Sequence, residues 1–214
     1  MVATISRTLA TAIALAGING AFINQASAES ATAILAGGCF WCIEKDFEHV
    51  NGVTDVISGY TGGTTPNPTY KNHTAGRHLE AVKITYDPKK ISYENILSIF
   101  WRTVNPTDAG GQFCDRGHSY TTAIYTLSKE QLEAAKMSKA ELQKSGAIKG
   151  KIVTPIIAAS KFYPSEDYHQ NYYKKNPVRY KYYRYSCGRN QTVKSYGASR
   201  PIQGLITTPD NEIR

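Results

Sequence analysis

The sequence lacks any apolar run long enough to cross a bilayer, and it shows no internal repeat and no clear domain boundary. A membrane-spanning helix needs about 20 consecutive apolar residues, and a repeat protein shows self-similarity at a fixed period. These absences argue against a helical membrane protein and against a repeat array. The length of 214 residues suits one compact domain better than two.

The N-terminal segment has the composition of a secretory signal. Arg7 precedes an apolar stretch at residues 9–23, and Ala26-Ser27-Ala28 gives the small-x-small pattern of a signal peptidase site. We therefore predict a signal peptide at residues 1–28, cleaved after Ala28, and an exported, periplasmic protein with no membrane attachment after cleavage. The alternative is a disordered or membrane-associated N-terminus. The formal net charge is +8 and becomes +7 once the segment with Arg7 is removed. A positive chain of this kind is attracted to acidic surfaces.

The four cysteines are Cys39, Cys42, Cys114 and Cys187. Export places them in an oxidising compartment, where disulfides persist, but a chain of this length buries an adequate core without disulfides. No second Cys-x-x-Cys and no suitably spaced histidine pair completes a zinc site, so we expect no metal. The cysteines therefore need a chemical explanation.

Periodicity along the rest of the chain predicts an α+β protein. Strands are predicted at residues 31–36, 53–59, 79–86, 121–127 and 152–159, and helices begin at Cys39, Ser92 and Ser128. We expect a two-layer sandwich of a mixed sheet and helices with a ferredoxin-like core in residues 29–194. Residues 59–76 predict a long functional loop. No period is evident after residue 159, which predicts an extended C-terminal coil and a disordered extension at residues 195–214.

Cys39 carries the strongest chemical signal. A thiol in the first turn of a helix meets unpaired backbone N–H groups and the positive end of the helix dipole, which favour the thiolate. Gly37 and Gly38 allow a tight turn and leave room for a substrate beside the sulfur. Cys42 follows at a distance that permits an internal disulfide. A purely structural disulfide and half of a zinc site are the alternatives to a redox-catalytic pair.

Glu80 is the second candidate. Residues 79–86 alternate, so that Glu80 shares a face with three apolar side chains. Burial there raises the pKa of a carboxyl group and lets it hold a proton near neutral pH, as a general acid requires. The alternatives are a buried Glu paired with Arg77 or His78, or a Glu at the edge of the sheet.

The C-terminal residues leave two questions open. Cys187 lies beside Gly188 in a segment that we expect to be mobile. From there Cys187 either reaches a distant thiol or forms a structural disulfide with Cys114. If it does not pair with Cys187, we expect Cys114 to be inert. The segment from Tyr172 to Tyr185 interleaves Tyr with Lys and Arg, as a nucleic-acid surface does. We favour tyrosines that wrap over the core with wet hydroxyl groups, and we expect no nucleic-acid partner.

Several separated segments together resemble the peptide methionine sulfoxide reductase A family. They are Gly38-Cys39-Phe40-Trp41, Gly59-Tyr60-Thr61-Gly62-Gly63, Asn67-Pro68-Thr69-Tyr70, Glu80-Ala81-Val82, Tyr86-Asp87-Pro88, Asp115-Arg116-Gly117 with Tyr120, and Phe162-Tyr163-Pro164-x-Glu166-Asp167-Tyr168-His169-Gln170. The likeness extends over about residues 33–189 and keeps the order of the motifs. An ordered series of this kind is far more specific than a lone Cys-x-x-Cys.

The resemblance implies a role for each matched residue. Cys39 attacks the sulfoxide sulfur, and Phe40 and Trp41 form the apolar seat of the methyl group. Asp115 helps to order the site. The residues that hydrogen-bond and protonate the sulfoxide oxygen are Glu80, Tyr70 and Tyr120.

The resemblance also implies how the enzyme is regenerated. A second thiol condenses with the sulfenic acid on Cys39, and an external dithiol, a thioredoxin-like protein, reduces the resulting disulfide. The candidates for the resolving thiol are Cys187 and Cys42, with a slight preference for Cys187; many relatives have Gly where this chain has Cys42. The family acts on the S epimer of methionine sulfoxide, free or in oxidised proteins that it repairs, without a bound cofactor. We expect a monomer.

Two other functions remain as alternatives. Cys39-x-x-Cys42 after a strand and Thr154-Pro155 before one also fit a thiol–disulfide oxidoreductase of thioredoxin type, but that function gives Glu80 and the tyrosines no purpose. The basic, aromatic C-terminal segment fits a binding module for a polyanion, whose affinity depends strongly on salt. Neither alternative accounts for the residues around Cys39.

Overall fold

The structure, a computed structural model of the chain, describes residues 30–191 and 194. The signal peptide predicted at residues 1–28 and the extension predicted at residues 195–214 lie outside the described residues. Within the described part, no helix combines the length and the apolar character that a bilayer crossing requires.

Six strands form the main sheet, and two short strands form a separate ribbon. In chain order the strands are β1 (Ala31–Gly37), β2 (Val53–Thr61), β3 (Leu79–Tyr86), β4 (Gly111–Gln112), β5 (Asp115–Arg116), β6 (Thr122–Thr126), β7 (Ile156–Ala158) and β8 (Tyr163–Pro164). The main sheet has the order β7-β6-β1-β3-β2-β8, and β4 pairs with β5. Because β6 and β7 run parallel while the other described pairs run antiparallel, the sheet is mixed, as predicted.

Helices form the second layer. They are α1 (Phe40–Glu48), α2 (Tyr93–Thr103), α3 (Lys129–Lys144), α4 (Tyr172–Lys175) and α5 (Pro177–Ser186), with a 3-10 turn at His118–Tyr120. The chain order β1-α1-β2-β3-α2-β6, combined with the spatial order β6-β1-β3-β2, is the ferredoxin-like arrangement. The predicted fold class is therefore confirmed.

One face of the sheet buries its side chains against α1 and α2. Helical spacing places Ile43 and Phe47 of α1 and Leu97 and Phe100 of α2 in this core, each almost fully buried. Fully burying an apolar side chain of this size stabilises the fold by about 1.5–3 kcal/mol. The capping residues Ser92 and Ser128 accept backbone N–H groups at the starts of α2 and α3, as the sequence predicts.

The strand predicted at residues 152–159 is only three residues long, Ile156–Ala158. The backbone before it bonds to other partners: the N–H of Ile152 donates to Gln143 Oε1 at 2.9 Å and that of Val153 to Pro106 O at 2.8 Å. These groups are satisfied outside the sheet, so β7 starts late.

The C-terminal segment is helical and packed, so the expectation of an extended coil is wrong. α4 and α5 lie against α1, and Tyr172, Tyr180 and Arg184 are buried there. Pro177 at the start of α5 is tolerated because the first helical N–H has no intrahelical acceptor. The inward face of α5 consists of Tyr and Arg rather than aliphatic side chains, so hydrophobic periodicity did not reveal it. Tyr172 and Tyr180 lie over the core as expected, whereas Tyr182 and Tyr185 are largely exposed. The expectation of wet hydroxyl groups is wrong for three tyrosines whose hydroxyl groups bond to protein groups: Tyr173, Tyr180 and Tyr183.

Arg184 joins α5 to α1 through a buried ion pair. Its Nη2 lies 2.8 Å from Asp46 Oδ1, and its Nη1 donates to Tyr180 Oη at 3.0 Å and to the Cys42 carbonyl at 3.4 Å. Asn190 Oδ1 accepts from Nε at 2.7 Å. A buried guanidinium this fully bonded fixes the orientation of α5 on the helix that carries Cys39 and Cys42.

We predict that Arg184→Ala lowers the free energy of unfolding by about 3–5 kcal/mol, because the Asp46 side chain, which is only 14% exposed, then loses its cationic partner. Urea denaturation measures the change. Lys181→Ala, on the exposed side of the same helix, is the matched control and should change stability by less than about 0.5 kcal/mol. Equal losses in the two variants would contradict this role of the ion pair.

Candidate active site

Cys39 lies at the junction of β1 and α1, where the sequence predicts it. It is the N-cap of α1, and its carbonyl accepts the N–H groups of Cys42 at 3.1 Å and Ile43 at 3.4 Å. Gly38 makes the turn with a φ of +83°, and a Cβ atom there would lie 2.5 Å from Gln112 Cβ. Only glycine fits both the backbone angle and the close approach of Gln112.

Cys39 and Cys42 form a buried, hydrogen-bonded pair of free thiols. They are 5% and 1% exposed. Burial raises the pKa of Cys39 well above its usual value, and the hydrogen bond to Cys42 adds to this effect. Burial also opposes ionisation of Cys42, but the hydrogen bond from Cys39 and the charges of Arg189 and Arg184 outweigh it and lower the pKa of Cys42 to about 6.

These effects raise the pKa of Cys39 and lower that of Cys42, and so favour the thiolate on Cys42, whereas the helix start alone favours it on Cys39. The carboxyl groups of Glu80 and Asp115 face Cys39 and disfavour an anion there. The charges of Arg189 and Arg184 lower the pKa of Cys42, and the charge of Asp46 opposes them. Interacting thiols of this kind titrate as a pair that holds one proton between about pH 6 and the much higher pKa of the second step.

Glu80 points from β3 into the site and is 1% exposed. Its Oε2 accepts the N–H of Phe40, the residue after the nucleophile candidate, at 3.0 Å. Burial raises the pKa of Glu80 to about 8, although this hydrogen bond acts in the opposite direction. The carboxyl group is not paired as the alternatives proposed: His78 contacts Gly63 N and Thr65 O instead. Glu80 thus holds a proton near neutral pH beside Cys39.

Tyr70 and Tyr120 meet beside Glu80. Tyr70 lies in the long loop between β2 and β3, Tyr120 ends the 3-10 turn, and their hydroxyl groups are hydrogen-bonded to each other. Burial and the nearby charge of Glu80 raise the pKa of both phenols, so they remain proton donors. The structure therefore brings together all four residues that the sequence analysis assigned to the reacting atoms, although they come from four different segments.

An aromatic seat adjoins the thiol. Phe40 is 1% exposed, whereas Trp41 is half-buried. The Trp41 indole N–H donates to His169 Nδ1 at 3.0 Å, and its ring stacks on Tyr172 with centroids 3.6 Å apart. The sequence gives no sign that His169 or Tyr172 belongs to this seat. His169 stands in one of the family motifs, but the spacing of that motif does not show that it reaches Trp41.

Asp115 is fixed by a residue that the sequence analysis missed. The hydroxyl group of Tyr183 in α5 donates to Asp115 Oδ2 at 2.5 Å, and its ring meets Trp41 edge-on with centroids 6.0 Å apart. Burial raises the pKa of Asp115, against the effects of Tyr183 and Arg189. Tyr183 thereby connects the polar side of the site with the aromatic seat.

Cys114 and Cys187 form a disulfide that joins the β4–β5 ribbon to the end of α5, with Cα atoms 4.9 Å apart. Cys114 is therefore not inert. Because Cys187 is already bonded to Cys114, it has no free thiol, which disagrees with the slight preference for Cys187 as the resolving residue. The sulfur atoms and an Asp115 oxygen lie within 4.8 Å of one another. Among the described residues no other group of three potential metal ligands lies this close together. The two sulfur atoms of this group are bonded to each other in the disulfide.

Comparison with known proteins agrees with this geometry. The family model described as peptide methionine sulfoxide reductase matches residues 31–200. The chain belongs to the peptide methionine sulfoxide reductase family. Peptide methionine sulfoxide reductase MsrA 2 of Rhizobium meliloti (strain 1021) is 50% identical over 180 residues, which cover 84% of this chain and 89% of the relative. The MsrA of Bacillus subtilis (strain 168) is 50% identical over 171 residues, which cover 78% and 96%.

Solved structures of reductases show the same fold. The reduced form of Mxr1 from Saccharomyces cerevisiae has a TM-score of 0.65 at 30% identity, over 70% of this chain and 87% of that chain. Methionine sulfoxide reductase A of Corynebacterium diphtheriae has a TM-score of 0.62 at 32% identity, over 70% and 76%. Membership of this reductase family displaces the thioredoxin-type alternative.

We predict that the double variant Cys114→Ser/Cys187→Ser unfolds at a lower temperature. The disulfide closes a loop across a sequence separation of 73 residues, and its loss should lower the free energy of unfolding by about 2–4 kcal/mol. Calorimetry without reductant measures the change. A double variant as stable as the unmodified protein would show that the bond contributes nothing to the fold.

Proposed function

We propose that this protein reduces methionine S-sulfoxide to methionine, with Cys39 as the nucleophile and Cys42 as the resolving thiol. The observation that carries the proposal is the buried dithiol beside a protonated carboxyl group. Cys39 shares its proton with Cys42, and Glu80, with a pKa of about 8, stands at the Phe40 N–H next to Cys39. A soft nucleophile and a proton donor on one apolar site are what reduction of a sulfoxide requires.

In the first step Cys39 passes its proton to the Cys42 thiolate and attacks the sulfoxide sulfur. Glu80 gives its proton to the sulfoxide oxygen, while the hydroxyl groups of Tyr70 and Tyr120 donate hydrogen bonds to that oxygen. The attack forms a bond between the Cys39 sulfur and the substrate sulfur. The protonated oxygen then moves from the substrate sulfur to the Cys39 sulfur, and methionine leaves with the electron pair of the sulfur–sulfur bond. Cys39 is left as a sulfenic acid.

In the second step Cys42 attacks the sulfur of the Cys39 sulfenic acid. A disulfide forms, and the oxygen leaves as water after protonation. The sum of the two steps converts one sulfoxide and two thiols into methionine, one disulfide and water. The proton that Cys42 took from Cys39 leaves with this water, and the charges of Arg189 and Arg184 favour the thiolate that attacks.

Two placements support Cys42 rather than Cys187 as the resolving thiol. Cys42 is already hydrogen-bonded to Cys39, so it attacks without a change of fold. Cys187 is bonded to Cys114 at the far side of Tyr183, and releasing it requires prior reduction of that disulfide.

Regeneration requires an external dithiol, and a thioredoxin-like protein of the compartment supplies it. Trp41 is half-buried and Tyr70 is 39% exposed, so the site opens to solvent and admits a methionine sulfoxide within an oxidised protein as well as the free amino acid. The signal-like segment at residues 1–28 supports export to the periplasm. N-terminal sequencing of the exported protein should then begin at Glu29, and a start at Met1 would contradict export by cleavage.

Single-turnover reduction of the separate S and R epimers of an N-acetylated methionine sulfoxide tests the reaction. Residues 29–214 should form one methionine per enzyme from the S epimer alone and lose two free thiols. No methionine from either epimer would overturn the proposed function.

The cysteine variants test which thiol resolves. Cys42→Ser should still form one methionine per enzyme but no disulfide at Cys39, because Cys39 then has no free thiol partner. The double variant Cys114→Ser/Cys187→Ser is the matched control and should form both methionine and the Cys39–Cys42 disulfide. Peptide mass spectrometry identifies the partner of Cys39, and a disulfide at Cys39 that forms in Cys42→Ser but not in the control would assign resolution to Cys187 or Cys114.

We predict a bell-shaped pH profile for the rate of methionine formation, with limbs near pH 6 and pH 8. Below the pKa of about 6 the thiol pair holds both protons and has no thiolate, and above the pKa of about 8 Glu80 has lost the proton it donates. Glu80→Gln should remove the alkaline limb and slow the reaction by about 10²- to 10⁴-fold. Glu94→Gln, at an exposed carboxylate of α2, is the control; an alkaline limb that persists in Glu80→Gln would exclude Glu80 as the acid.

A further inference from the structure

Tyr70 needs an explanation for its position, because burial does little to hold it. It is 39% exposed and lies in the loop between Thr61 and Leu79. The N–H of Thr64 donates to Gly76 O at 2.9 Å, which closes the loop on itself. Such a bond shapes the loop but does not fix Tyr70 relative to the reacting atoms.

Two tethers connect the far end of the loop to the 3-10 turn. Ser119 Oγ donates to Thr74 Oγ1 at 3.1 Å, and His118 Nε2 contacts the Arg77 carbonyl at 3.1 Å. Both act on residues after Tyr70. Nearer to the tyrosine, His73 Nδ1 contacts the Tyr70 carbonyl at 2.9 Å, which is a bond within the loop, and the His169 ring packs against the Tyr70 ring with centroids 4.5 Å apart.

Glu166 bridges the loop and the sheet at Tyr70. Its Oε1 accepts the backbone N–H of Tyr70 at 3.0 Å, and its Oε2 accepts the hydroxyl group of Tyr60 in β2 at 3.0 Å. The two oxygens of one carboxylate thus connect Tyr70 to the central sheet. The hydrogen bonds from Tyr70 and Tyr60 oppose the effect of burial and leave the pKa of Glu166 below its usual value, so that both oxygens are acceptors at neutral pH.

The backbone that carries Glu166 is itself rigidly attached to β2. The N–H of Ser165 donates to the Ser58 carbonyl at 2.9 Å, and Gln170 Nε2 donates to the same carbonyl at 2.8 Å. Gln170 Oε1 accepts the Ser58 N–H at 3.0 Å. The carboxylate is therefore presented from a fixed point on the sheet rather than from a free loop.

We propose that Glu166 is a positioning residue for the sulfoxide reduction: through the Tyr70 N–H it sets the Tyr70 hydroxyl group against Tyr120, so that the pair is arranged before substrate binds. Glu166 itself touches no reacting atom. The inference rests on the proposed function, because it concerns the hydrogen-bond donors to the sulfoxide oxygen. A donor displaced by about 1 Å loses much of its effect on the rate, of the order of 10²-fold.

A double-mutant cycle tests whether Glu166 acts through Tyr70. The single-turnover rate of methionine formation is measured for Glu166→Ala, for Tyr70→Phe and for the variant that combines them. Glu166→Ala should slow the reaction by about 10- to 100-fold. In the Tyr70→Phe background the same substitution should slow it by less than about twofold, because the displaced hydroxyl group is already absent. Independent, multiplicative losses would overturn the proposal, since a merely structural role affects both backgrounds equally.

Conservative and control variants keep the test decisive if Glu166→Ala folds poorly. Glu166→Gln has one acceptor oxygen instead of two and should give a smaller loss than Ala. Asp167→Ala removes the adjacent, exposed carboxylate and should leave the rate unchanged. A loss in Asp167→Ala as large as that in Glu166→Ala would indicate a general charge effect and overturn the proposal.

A second readout separates this inference from the proposed function. Hydrogen exchange reports the protection of the Tyr70 amide, and Glu166→Ala should reduce it while the amides of β2 stay protected. If the unmodified protein forms no methionine, the proposed function fails by that result alone, and the exchange data still decide whether Glu166 holds Tyr70. Unchanged protection of the Tyr70 amide in Glu166→Ala would overturn the tether itself.

Discussion

The proton shared by Cys39 and Cys42 is the interaction on which the account of this site depends. Two thiols one helical turn apart in an apolar interior do not both ionise, and the surrounding charges decide which one does. The carboxyl groups of Glu80 and Asp115 raise the pKa of Cys39. The guanidinium groups of Arg189 and Arg184 lower the pKa of Cys42 against the opposing charge of Asp46. The pair thus rests with its nucleophile protonated and its base adjacent, an arrangement that limits oxidation of Cys39 before a substrate arrives, because the thiolate is the reactive form.

The site is assembled from both ends of the domain. The β1–α1 junction supplies the thiols, and β3 supplies Glu80, whereas the segment from β8 onward supplies the groups that orient and charge them. Arg184 ties α5 to α1, Tyr183 holds Asp115, and Glu166 holds the loop that carries Tyr70. The packing of the C-terminal segment is therefore a condition for the chemistry at Cys39.

Local patterns predicted the parts of the molecule that local physics decides. The turn at Gly38, the caps at Ser92 and Ser128 and the inward direction of Glu80 each depend on a few neighbouring residues, and each is confirmed. The family motifs also identified Tyr70 and Tyr120, although their hydrogen bond joins residues 50 positions apart in the sequence.

The remaining features depend on contacts between distant residues. Four cysteines allow three pairings, and only the fold brings Cys114 to Cys187. The helix dipole alone favours the thiolate on Cys39, whereas Arg189, which is 147 residues from Cys42 in the sequence, favours it on Cys42. Helix α5 escaped prediction because Tyr and Arg, not aliphatic residues, form its buried face.

The ultraviolet absorbance of the thiolate, followed as a function of pH, tests the central claim most directly. The account predicts one thiolate per protein that titrates with a midpoint near pH 6, and its disappearance from that range in Cys42→Ser. A protein without thiolate absorbance below pH 8, or a step near pH 6 that persists in Cys42→Ser, would contradict the assignment of the charge to Cys42.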